Sequence, residues 1–163
     1  SIQTLERVYK HYYFIIRGAE EMNRETNPIP QGKYVPATRF ENIIFTAGMT
    51  PRSNGILIKV GKIKASDEVA DYKDAVVQAA QNALTAAKNK LKDGEKIIQL
   101  LQITVYVNSE TNFTKQSKIA DFASEYFYEQ LGEAGIGSRA AVGVSVLPGE
   151  APVEISLIAG VGK

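Results

Sequence analysis

The chain of 163 residues contains no cysteine and a single histidine, His11. The first absence excludes disulfides, thiolate catalysis, cysteine-ligated zinc and iron–sulfur clusters together. The second leaves one imidazole around which any multi-histidine metal site or serine–histidine–aspartate triad would have to be built, so neither is expected. Excess charge of either sign is also missing, since 19 Lys and Arg stand against 18 Asp and Glu for a net +1. Nucleic-acid binders concentrate Lys and Arg, so no nucleic-acid partner is expected, although a small basic pocket stays compatible with this balance. No stretch resembles a signal peptide or an apolar run of membrane-spanning length, so no membrane partner is expected and the location is expected to be cytoplasmic.

What is present reads as an ordinary globular chain. The apolar fraction is 44% and the charged fraction 23%, enough for one domain with its own core. That domain is expected to fill residues 1–163, with an N-terminal helix and linker over 1–31 and the core over 32–163. Leu5, Val8, Tyr12, Ile15, Ala19 and Met22 recur at spacings of three and four, an amphipathic helix that also carries His11. A stretch with Pro28 and Pro30 follows as a linker. "ATRFENIIFTAG" predicts a hairpin of Ala37–Phe40 and Ile43–Ala47 around Glu41-Asn42. Asn54-Gly55 is a turn signal, and Ile56–Val60 reads as a short strand.

Ser66 is the expected N-cap of a helix, with Asp67 and Glu68 in its first turn, where negative charge suits the helix dipole. Val69, Tyr72, Val76, Ala79, Ala80, Ala83, Ala87 and Leu91 form its apolar face, and Gly94 is its expected stop. Ile97–Val107 predicts a long strand. Thr114–Leu131 predicts a second helix, closed by Gly132. The terminal segment "GSRAAVGVSVLPGEAPVEISLIA", Gly137–Ala159, reads as two strands paired around a turn. This order predicts an α+β fold: a mixed sheet with the two main helices on one face. The other face, lined by Val, Ala and Ile, is expected to pack against further copies of the chain.

Two charged residues stand out in the terminal segment. Arg139 heads an apolar strand. A guanidinium there can be a structural ion pair, or a clamp that holds a ligand carboxylate by two parallel hydrogen bonds. Glu154 shares a strand face with Ser156 and Ile158, opposite Val153, Ile155, Leu157 and Ala159. It can be a solvated side chain, or a general base whose pKa is raised by partial burial. Tyr34 in "GKYVPA" can be packing or a phenol at a pocket rim. Gly48 in "TAGMTP" can be a tight turn or a close backbone approach to an anion.

The segments "GKYVPATRFENIIFTAGMTP", "ITVYVNSETNFT" and the terminal segment together resemble the Rid/YjgF family of reactive-intermediate (enamine/imine) deaminases, over about residues 32–159. The extended N-terminus and "FASEYFYEQLGEAG" look more like a divergent branch often labelled endoribonuclease L-PSP-like. The resemblance implies a chorismate-mutase-like fold, a homotrimer and sites between subunits, with no cofactor and no metal. It implies that Arg139 binds the carboxylate of a small-molecule imine, enamine or keto acid, and that Glu154 positions the hydrolytic water. Tyr34 would line the pocket and Gly48 would offer backbone contacts. Three further positions fall in the implied pocket. Ala47 stands where such deaminases often carry a hydroxyl, Ala141 where they often carry a cysteine, and Ser117 near a common asparagine. The implied reaction is hydrolysis of a 2-aminoacrylate-like imine to a 2-keto acid and ammonia. A non-catalytic protein that binds small carboxylates is the alternative; an endoribonuclease and a chaperone-like interaction protein rank behind it.

Overall fold

The computed structural model describes residue 26 and residues 28–163; the expected N-terminal helix and His11 lie outside them. The first hairpin forms as its alternation predicts, from β1 (Ala37–Phe40) and β2 (Ile43–Thr46). β3 (Arg52–Ser53) and β4 (Ile56–Leu57) follow as a two-stranded ribbon around Asn54-Gly55. Both turn residues take positive φ, +51° and +81°, the conformation that Asn-Gly adopts at low steric cost. Only Ile56 and Leu57 of the expected strand 56–60 pair, because Val60 and its neighbours meet no second strand.

α1 (Lys73–Lys88) is preceded by a 3₁₀ turn at Val69–Tyr72, so Ser66 is not its cap. Asp67 is engaged elsewhere. Its carboxylate accepts from the Lys64 N–H at 2.9 Å and from the Tyr72 hydroxyl at 2.5 Å, which closes the loop before the helix. These two bonds hold the Asp67 carboxyl below its ordinary range. Gly94 lies beyond the helix, at φ +77°, in the turn leading to β5 (Lys96–Asn108). α2 (Gln116–Leu131) ends at Gly132, as expected.

β6 (Ser138–Val144) and β7 (Val153–Gly162) complete a five-stranded sheet of order β1-β2-β7-β5-β6. The last two strands therefore do not pair with each other, against the expected hairpin. β5 lies between them, parallel to β6 and antiparallel to β7. The reason is the connection before β6. Helix α2 joins β5 to β6, and a strand–helix–strand crossover sets its two strands parallel and adjacent. Residues 145–152 then carry the chain past β5 to its other edge.

One sheet face is buried under the two helices. Ile44, Leu100, Ile103, Val105, Ile155 and Leu157 from the sheet meet Val76, Leu84, Ile119 and Phe127 from the helices, all 2% exposed or less. Each such side chain contributes roughly 1.5–3 kcal/mol by leaving water. Ala79, Ala80 and Ala83 keep α1 close to β7. Gly137 permits β6 to reach β5, since a Cβ there would lie 2.4 Å from the Leu100 carbonyl oxygen. Among the described residues the opposite face has no helix over it. Phe40, Phe45, Leu101 and Val142 stand exposed on it.

Candidate functional site

β7 alternates as its sequence predicts. Val153, Ile155, Leu157, Ala159 and Val161 are buried toward the helices, and Glu154, Ser156 and Ile158 point to the uncovered face. Glu154 sits opposite Tyr106 of β5. Its carboxyl is half-buried and has no hydrogen-bond or ion-pair partner among the described residues, and burial raises its pKa above the ordinary carboxylate range. Room for it exists because residue 48 is glycine. A Cβ on Gly48 would come 2.5 Å from Glu154 Oε2. The backbone is locked there, since Met49 and Ile155 exchange N–H···O bonds of 2.8 and 2.9 Å. Glu154 and Gly48 thus lie against each other, with Ala47 next to them, its N–H donated to the Pro36 carbonyl.

Arg139 lies on the other face. Its register partner is Ile103, whose side chain is core, so the guanidinium is directed under α2. There Nη1 donates to Asp121 Oδ1 and Ser124 Oγ, both at 3.0 Å, and Nη2 donates to Ser117 Oγ at 2.8 Å. Ala141, two residues on, shares this face and packs against the core. Ser117 and Arg139 are therefore brought together. Asp121 and Ser124 were missed. Their signal was available, because residues 117, 121 and 124 recur at i, i+4 and i+7 and so share one face of a helix.

Arg139 and Glu154 do not meet within one chain. They stand on opposite sheet faces, two strands apart and three residues out of register, roughly 14 Å apart along the sheet by strand spacing and rise. Tyr34 is in a third place. Its hydroxyl accepts the Gln31 N–H at 3.1 Å, and its ring lines a cleft of about 410 Å³ that also touches Gly48 and Arg52. Among the described residues no group of three or more His, Cys, Asp or Glu could hold a metal, and no helix is long and apolar enough to cross a membrane.

Known proteins are similar to this chain over most of its length. The chain is 28% identical to Protein TCP17 of Trypanosoma cruzi over 130 residues, 76% of this chain and 81% of that one. It is 26% identical to a RutC family protein of Aquifex aeolicus over 139 residues, 85% of this chain and 97% of that one. Among solved structures, the protein Atu1372 of Agrobacterium tumefaciens, described as of unknown function, is similar at 31% identity and a TM-score of 0.73, covering 88% of this chain and 90% of that one. The family model described as Endoribonuclease L-PSP matches residues 24–161. With that match spanning all but the last residue of the sheet, α1, α2 and every candidate site residue, the chain belongs to the Endoribonuclease L-PSP family, the YjgF/Rid family.

Proposed function

We propose that this protein hydrolyses reactive 2-imino or 2-enamino carboxylic acids to 2-keto acids and ammonia, in sites completed between copies of the chain. The observation that carries this reading is Glu154, a half-buried carboxyl with no cation beside it, held against the bare backbone of Gly48. Burial raises the proton affinity of such a carboxyl above that of an exposed one, which suits a general base. Arg139, with Ser117 beside it, is the carboxylate clamp. It lies on β6, the edge strand of the sheet, where a second copy can approach it. A homotrimer supplies such an approach, and the uncovered apolar face gives it area to bury.

In this mechanism Arg139 of one copy holds the substrate carboxylate, and Glu154 of the next holds a water against the imine carbon. The water oxygen bonds to that carbon while one of its protons passes through Glu154 to nitrogen, giving a carbinolamine; the remaining hydroxyl proton then passes through Glu154 to nitrogen as the C–N bond breaks and the C=O bond forms, releasing ammonia and the keto acid. The imine carbon is already electrophilic, so orientation and one positioned base, worth roughly 10²–10⁴-fold, suffice.

The test generates 2-aminoacrylate from serine with a dehydratase and traps surviving imine with semicarbazide. The wild type is expected to suppress trapping and Arg139→Ala to lose that ability. Equal trapping with both rejects the reaction. A second reading has its own support in the separation of Arg139 from Glu154 within one chain: a binding protein for small carboxylates without turnover. Thermal stabilisation by pyruvate, absent in Arg139→Ala and without effect on trapping, would select it.

A further inference from the structure

The cleft of about 410 Å³ lies between α1, the β3–β4 ribbon and the segment leading to Tyr34. Its volume falls in the range of small-molecule sites. Arg52 is the one charged side chain among the described residues that line it; the polar remainder is amides and hydroxyls, Gln78, Gln81 and Ser53 among them. Arg39 and Arg139 each have a carboxylate within ion-pair distance. Arg52 has none among the described residues. Its Nη1 donates to the Gly55 carbonyl at 2.8 Å, and its Nε is buried without an acceptor. A partly buried cation without a counter-charge is costly, and an anionic ligand removes that cost.

The surrounding backbone is fixed. Asn82 of α1 donates to the carbonyls of Thr50 and Arg52, at 3.1 and 2.9 Å, and accepts from Gln78 at 3.0 Å. The ribbon is thereby tied to the helix, so the cleft exists before any ligand arrives. Glu154 and Arg139 do not line it.

We propose that this cleft binds a small hydroxycarboxylate, its carboxylate paired with Arg52 and its hydroxyls met by Gln78 and Gln81. One cation matches one carboxylate charge, whereas a phosphate dianion would leave a charge uncompensated. The cleft shares Tyr34 and Gly48 with the deaminase reading, but the proposed ligand contacts use neither Arg139 nor Glu154.

Calorimetry with glycerate, inorganic phosphate and glycerol tests it. Glycerate is expected to bind the wild type and Arg139→Ala, and to bind Arg52→Met at least tenfold more weakly; glycerol is expected not to bind. Arg52→Met also loses the bond to Gly55, so a second variant guards against misfolding. Gln81→Glu places a carboxylate in the cleft from an exposed position on α1, and is expected to keep native circular dichroism and lose glycerate binding equally. Glycerate binding unchanged in Gln81→Glu overturns the proposal, as does no binding to the wild type, or phosphate binding in place of glycerate. Loss in Arg139→Ala with retention in Gln81→Glu puts the ligand at Arg139, which rejects the cleft and leaves the deaminase reading standing.

Discussion

Glu154 carries its charge where the surroundings resist it. Its pKa in the folded chain lies above the unfolded value because burial disfavours the anion. A group raised in this way adds stability that is full below the unfolded pKa near 4.5 and lost as pH rises through the folded pKa. Glu154→Gln is therefore expected to raise the melting temperature at pH 7 relative to the wild type, with the gap closing by pH 4. A gap that does not change with pH would show that the carboxyl is not desolvated. Turnover of the same variant separates two roles: appreciable activity means Glu154 only holds the water, complete loss means it is the base. Asp121 acts oppositely, as a competitor. Its carboxylate, 42% exposed, occupies Arg139 Nη1. An exposed pair of this kind is worth up to about 1 kcal/mol, about fivefold in affinity. Asp121→Asn is expected to tighten pyruvate binding at Arg139 by up to about that factor in calorimetry, and weaker binding would mean that Asp121 orients the clamp. Arg139 and Glu154 stood out in the sequence because each interrupts an apolar strand. Asp121 did not, because a helix surface is expected to carry charge.

At the scale of elements, the edge strand β1 is fastened by one ion pair. Arg39 meets Glu95 through two bonds, Nη1 to Oε2 at 2.5 Å and Nη2 to Oε1 at 2.9 Å, and also donates to the Lys90 and Glu41 carbonyls. Glu95 accepts the Lys92 N–H as well. The bond from Arg39 is the larger cause that holds the Glu95 carboxyl down at about 2. A lowered carboxylate adds stability that is present above its unfolded pKa and lost as pH falls through the folded one. Melting temperature is thus expected to drop between about pH 4.5 and 2, and Glu95→Gln to flatten that part of the profile. An unchanged profile would mean that the pair does not hold β1. None of this was visible in the sequence, because Arg39 and Glu95 are 56 residues apart and belong to different elements. The bounds of β1, β2, β5 and α2 were legible, since their periodicities are local. The start of α1 was not, because Asp67 prefers the Tyr72 hydroxyl to a helix end.

For the molecule as a whole, the sheet face that no described helix covers is the broadest apolar surface to consider. Leu101 is 42% and Phe45 41% exposed there, in a chain whose other sheet face is sealed. Leu101→Glu puts a charge on that face without touching the core. It is expected to shift sedimentation from oligomer to monomer and to abolish turnover together, since each half-site would lose its complement. Monomer with full turnover would reject a site shared between copies. The sequence by itself determined the alternation of β7, and with it the outward aim of Glu154. It also determined the small apolar stripe of α1 and the family, because these depend on residues a few positions apart. Tertiary structure decided which strand lies beside which. The insertion of β5 between β6 and β7 separates Arg139 from Glu154, and no local pattern encodes it. Strand order follows from the helical crossover through α2 and from the burial of one whole face, both of which are set only when distant segments pack together.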